Sequence, residues 1–120
     1  MPTIKNLDTK IVGRDFTTVL KESEEKDASE MTVRIAIKNA LLGEMIVNDK
    51  REELSHGTKF DLWLMAKRVH ESPGSLTITN DEYDTIKTRV GTVYSQLVVG
   101  QVFAVLNADP EIAVHQSEGS

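Results

Sequence analysis

Thr79-Asn80-Asp81-Glu82-Tyr83-Asp84-Thr85-Ile86-Lys87-Thr88-Arg89-Val90 is the stretch on which the reading of the fold turns. Thr79 and Glu82 stand at capping-box spacing, and Asn80, Asp81 and Glu82 put polar and acidic groups at the positive end of a helix dipole. Tyr83, Ile86, Val90 and Val93 then recur at helical intervals, as one apolar side of a helix does. Leu76-Thr77-Ile78, just upstream, reads as a short extended lead-in. Downstream, a break is expected between Thr92 and Ser95. Ser95 can cap a further helix that carries Leu97, Val98, Val102, Phe103, Val105 and Leu106 and ends at Asn107-Ala108-Asp109-Pro110.

Two more helices are predicted upstream. Val33, Ala36, Ile37, Ala40 and Leu41 line one face of a helix over Thr32 to Leu42, with Ser29 or Thr32 as its cap and Gly43 at its end. Thr58 to His70 forms the next, stopped by Ser72-Pro73-Gly74 because proline cannot continue the ladder. Its stripe of Phe60, Trp63, Leu64 and Lys67 is flanked by Leu62, Met65, Ala66 and Val69, a width that suggests a central helix. Asn48-Asp49 marks a turn in the connector between the two. Residues 3–21 are rich in types that fit a pleated surface, and read as a β-hairpin with strands near 3–12 and 15–21. Residues 22–30 form an acidic loop, 31–107 the helical part and 109–120 a flexible tail. The expected fold is α+β, mainly α: one domain over 1–108, with an N-terminal hairpin followed by three to four helices.

Composition narrows the function. The chain has 120 residues, enough for a core without disulfide or metal staples. Cysteine is absent, which removes disulfides, thiolate zinc sites and thiol nucleophiles. No apolar run approaches the roughly 20 residues of a membrane span, and the first residues carry no signal-peptide pattern. A cytoplasmic location is therefore expected. The net charge of −5 works against nonspecific phosphate binding.

The residue types that do chemistry do not gather along the chain. No serine lies in a Gly-x-Ser-x-Gly elbow. His56 and His70 are too far apart for one helical face to bring them to one ion, and His70 suits a helix C-terminus. Catalytic, cofactor and metal sites are accordingly expected to be absent. Lys67-Arg68 and Lys87/Arg89 are the basic candidates for nucleic acid. The helix that would read bases offers only Gln96 and Gln101, where recognition needs polar side chains aimed at base edges. Gly91 suggests a relaxed bend, and Gly100 a close approach of helices.

The order of residues 76–106, with Glu82, Ile86-Lys87, Val90-Gly91, Tyr94 and Leu97-Val98-Val99-Gly100-Gln101, resembles small accessory proteins of tailed phages and prophages. That pattern often has a proline after the Tyr94-Ser95 position, where this chain has Gln96. The resemblance implies an assembly factor, a virion component or an inhibitor of host machinery in the bacterial cytoplasm. The expected function is a non-catalytic protein-binding or assembly role, with a protein partner or a second copy of the chain. The expected contact residues are Trp63, Val98, Val99, Val102, Phe103 and Leu106, since the last helix carries more apolar surface than one small core covers. The alternatives are a small nucleic-acid-binding regulator, motivated by Lys67-Arg68, and an acidic inhibitor of a host nucleic-acid-binding protein, acting through Glu22, Glu24, Glu25 and Asp27.

Overall fold

The computed structural model describes residues 3–21, 29–43, 46–47 and 49–107. Its element order is β1 (Thr3–Ile4), α1 (Val33–Leu42), β2 (Ile46–Val47), β3 (Lys50–Arg51), α2 (His56–Glu71), β4 (Leu76–Thr77), α3 (Asn80–Val93) and α4 (Gln96–Leu106). The fold is α+β and mainly α. The acidic run Glu22 to Asp27 and the tail 109–120 lie outside the described residues.

Helix starts follow local chemistry. Thr32 caps α1 by accepting from the Ile35 N–H at 3.3 Å. Two further orphan donors of its first turn are met by the N-terminal segment: Val33 N–H donates to Thr9 O and Arg34 N–H to Leu7 O. Ser55 caps α2, accepting from Thr58 N–H at 3.1 Å, so this helix begins at His56, two residues before the expected start. The Thr79–Glu82 capping box forms with both hydrogen bonds, at 3.1 and 2.9 Å. Tyr94 and Ser95 are extended, which separates α3 from α4 within the expected window. Ser95 makes no side-chain capping bond.

The N-terminal region is more divided than a single hairpin. Asn6 adopts φ +61° and turns the chain before Thr9. Thr3–Ile4 consequently pairs antiparallel with Leu76–Thr77, in the register Thr3↔Thr77 and Ile4↔Leu76, and not with residues 15–21. The hairpin proper is short. Gly13 N–H donates to Thr18 O, Val12 bridges Val19, and Leu20 N–H donates to Ile11 O. The segment entering α1 joins it, through Met31 N–H to Leu20 O and Ile11 N–H to Met31 O. The connector expected between the first two helices holds a second two-stranded pairing, β2 with β3, and Asp49 sits in its turn with φ +64°.

The central helix is α1, which packs on α2, α3 and α4. It buries Val33, Ala36, Ile37, Ala40 and Leu41. The two alanines leave room for neighbouring helices to approach. α2, expected to be central, instead buries the flank Leu62, Ala66 and Val69 and leaves Phe60, Trp63 and Leu64 exposed. Ile4, Leu7, Ile11, Ile78, Ile86, Val90, Val102 and Leu106 complete the core.

Two arginines tie the helices together. Arg89 of α3 is 5% exposed. Its Nε donates to Ala40 O at 2.8 Å and its Nη2 to Gly43 O at 2.7 Å, both carbonyls at the end of α1, and its Nη1 meets Glu52 Oε1 at 2.9 Å. Arg34 of α1 does the same for α2. Its Nη1 donates to the carbonyls of Val69 and Ser72, while Nε and Nη2 form a forked pair with Asp8 at 2.9 and 3.2 Å. A third tie comes from Gln101 of α4, whose amide accepts from Val12 N–H at 2.7 Å and donates to Val12 O at 2.8 Å, as a neighbouring strand would. Gly43, at the α1 terminus, is extended and not left-handed; a Cβ there would meet Asn39 O at 2.9 Å. Gly100 was expected to sit at a close helix contact, but a Cβ there would meet nothing within 4 Å.

Removing the Arg89 guanidinium strips the buried Ala40 carbonyl, the part-buried Gly43 carbonyl and the Glu52 carboxylate of their donor. Arg89→Ala is therefore expected to lower unfolding stability by about 3–5 kcal/mol, measured by urea titration, whereas Lys59→Ala, on the surface, stays within about 0.5 kcal/mol. Gly100→Ala, in an open helix interior, is expected to raise stability by about 0.5–1 kcal/mol on the same assay.

Candidate protein-binding groove

The residues expected to meet a partner fall into two groups. Val98, Val102 and Leu106 recur every fourth position of α4, and that stripe faces the chain's own core, 9%, 0% and 0% exposed. Val99 and Phe103 are partly buried against the same core. Their neighbours are α1 and α3, so the apolar excess of α4 is largely absorbed within the molecule. Trp63 is different. It is 49% exposed and stands apart from the α4 set, on α2.

Several side chains singled out for nucleic acid are engaged by other groups of the chain, Arg68 at the surface and Arg89 in the core. Arg89 is the buried cap of α1. Arg68 pairs with Glu82 and donates to Thr77 O at 3.2 Å. Gln101 serves Val12. Lys87 lies over the rings of Tyr83 and Phe103, at 5.5 and 5.1 Å from their centroids. Each of these contacts removes a donor from the surface that would have faced phosphate or base.

The histidines also have separate settings. His56 opens α2, and His70 near its end has Nδ1 2.9 Å from Lys38 Nζ; His115 lies outside the described residues. Among the described residues, no group of three or more His, Cys, Asp and Glu side chains gathers as a metal-ligand set. No helix among them is long and apolar enough to cross a membrane.

What α2 does present outward is an aromatic pair. Phe60 and Trp63 are stacked, with centroids 6.1 Å apart and planes at 17°, and Lys67 Nζ lies 5.5 Å from the Trp63 ring. Phe60 is 57% exposed. Trp63 is also a wall of a groove of about 410 Å³, between the end of α1, β3 and the start of α2. The groove is lined by Leu41, Leu42, Leu54 and Leu62, with Arg51 and Lys59 among its charged neighbours. Leu42 is 54% exposed at its edge. The groove depends on Arg89, which itself lines it and holds Gly43, Glu52 and the α1 terminus in register. Lys59 has no carboxylate within ion-pairing distance among the described residues. A trough with leucines on its walls and, at its rim, a Lys59 that no described carboxylate pairs suits an apolar side chain accompanied by a carboxylate.

A second groove, of about 460 Å³, runs between α2 and α3 past Asp61, Met65, Arg68, Asp81 and Glu82. Two of its charges, Arg68 and Glu82, are committed to structure. Burial pushes the Glu82 carboxyl up, but the Thr79 N–H and the charge and hydrogen bond of Arg68 outweigh it and hold Glu82 below the ordinary glutamate value. In the N-terminal segment, the Arg34 hydrogen bonds hold Asp8 low in the same way. The Thr18 hydroxyl, with the N–H groups of Thr17 and Thr18, holds Asp15 well below the usual carboxylate range.

No family model matches the chain, and no curated protein or solved structure matches it at a significant level.

The lowered Glu82 pKa has a sign. Its stabilisation is fully present above the unfolded glutamate value, about 4.3, and is lost as pH falls through the lower folded value. Glu82→Gln is therefore expected to be less stable than the parent at neutral pH. The gap should narrow and close on acidification below about pH 4, as read from urea midpoints across a pH series. A gap that stays constant with pH would show that the carboxylate charge contributes nothing to the cap.

Proposed function

We propose that this chain is a non-catalytic protein-binding accessory module, and that its binding site is the leucine-lined groove walled by Trp63. The observation that carries this reading is the exposed Phe60–Trp63 stack beside that groove. Large aromatics left in contact with water next to an apolar concavity are typical of surfaces that anchor a partner. The partner chemistry that fits is an exposed apolar side chain flanked by an acidic residue, because Lys59 and Arg51 stand at the groove and Lys67 lies over Trp63. The resemblance of residues 76–106 to small phage proteins agrees with an accessory role in assembly. Protein is preferred to nucleic acid as the partner because Arg68, Arg89 and Gln101 spend their donors within the fold.

Trp63 is the chain's single tryptophan, so its fluorescence reports on the groove directly. Peptides selected from a random phage-displayed library against the intact chain are expected to carry an apolar residue next to Asp or Glu. They should shift Trp63 emission to the blue on binding. Leu42→Glu should weaken them at least about tenfold, as loss of an interface anchor does. Selected peptides that leave Trp63 emission unchanged and bind Leu42→Glu equally well would place the binding surface elsewhere and defeat this reading.

A further inference from the structure

The hairpin tip carries a feature that neither the fold nor the groove uses. Phe16 is 76% exposed, more than any other large apolar side chain among the described residues. Its backbone is left-handed, at φ +60°. Glycine or asparagine adopts that conformation readily, and a bulky aromatic residue rarely does. The turn around it is held firmly. Asp15 Oδ1 accepts from the N–H groups of Thr17 and Thr18 at 3.0 and 2.9 Å, Oδ2 accepts from the Thr18 hydroxyl, and Phe16 N–H donates to Gly13 O at 2.9 Å. The result is a rigid knob: an aromatic ring on a strained turn, beside a carboxylate that stays ionised at neutral pH. Strain kept at an exposed site is a signature of use, and a preset ring loses little freedom on docking.

We propose that the occupant of the groove is Phe16 of a second copy of this chain, with Asp15 of that copy facing Lys59 at the rim. This rests on the groove being the binding site. The fit is one of size and charge: a trough of about 410 Å³ accommodates one aromatic side chain, and its rim supplies Lys59, a cation with no carboxylate partner among the described residues, for the tip's carboxylate. Tip and groove share no residue, so two such contacts related by a two-fold axis close a dimer and a single contact is heterologous. Where only one contact forms, each copy keeps one free tip or one free groove, and association continues until a ring closes or a chain of copies ends.

The test is sedimentation velocity across a dilution series, with Phe16→Asn and Leu42→Glu. Asparagine suits the left-handed backbone, and Leu42 is exposed, so both variants keep the fold; circular dichroism checks this. The parent chain is expected to gain mass with concentration. Each variant alone should have its dissociation constant raised at least about tenfold. An equimolar mixture of the two should recover dimers and nothing larger, because one intact tip and one intact groove remain to form a single junction. A parent chain that stays monomeric at its highest soluble concentration overturns the proposal. So does association that survives Phe16→Asn. In either case, continued binding of groove-selected peptides to the parent, read by Trp63 emission, would leave the groove standing with a different occupant, and loss of that binding too would remove the groove itself.

Discussion

A helix ends in carbonyl groups with no intrahelical donor, and where those ends are buried something must satisfy them. Arg89 meets that need at the end of α1 and draws in Glu52, so the last turn of the central helix, the approach to α2 and the middle of α3 are held by one planar cation. Arg34 repeats the device in the reciprocal direction, from the start of α1 to the end of α2. The guanidinium suits this work because its donors are fixed in a plane and its charge persists at any pH the protein meets. With helices of 10 to 16 residues and strands of two, these ties and the Gln101–Val12 pair act together with core packing to fix how the elements are angled.

The same constraint shapes the surface. Because Arg89 pulls the end of α1 toward α3, the leucines at that end are left facing Trp63 across a trough, and the trough inherits a cationic border. Because Arg68, Lys87 and Gln101 are also engaged by other groups of the chain, the surface is less suited to nucleic acid than a count of basic residues suggests. The proposed binding role follows from what remains outside: stacked aromatics, an exposed leucine and Lys59. The hairpin tip stands at the opposite extreme, an aromatic side chain held away from every core residue by a turn built around Asp15.

How much of this was legible depends on the sequence range of each interaction. Capping spans three residues, so Thr32, the Thr79–Glu82 box and the break at Tyr94–Ser95 could be read from neighbours. Arg89 finds Ala40 at a separation of 49 residues and Gln101 finds Val12 at 89, and no local pattern announces either. From the sequence both residues therefore read as surface groups. The choice of face on α2 was equally hidden, since both of its sides are apolar and α1 decides which turns inward. On α4 a signal was present: Val98, Val102 and Leu106 recur every fourth residue, which marks the inward stripe of a helix that carries no charge elsewhere. Trp63 alone of the expected contact residues lies on the groove. Phe16 was read as a strand residue, because a left-handed φ at an aromatic position leaves no trace in composition.

Arg89, buried, and Arg34, partly buried, are the caps that tie the helices to one another. The most direct measurement is the exchange with water of the arginine Nε–H resonances in the nuclear magnetic resonance spectrum of the whole chain. Arg89 and Arg34 are expected to exchange slowly and to shift apart from the exposed Arg14. Fast exchange at Arg89, indistinguishable from Arg14, would contradict it.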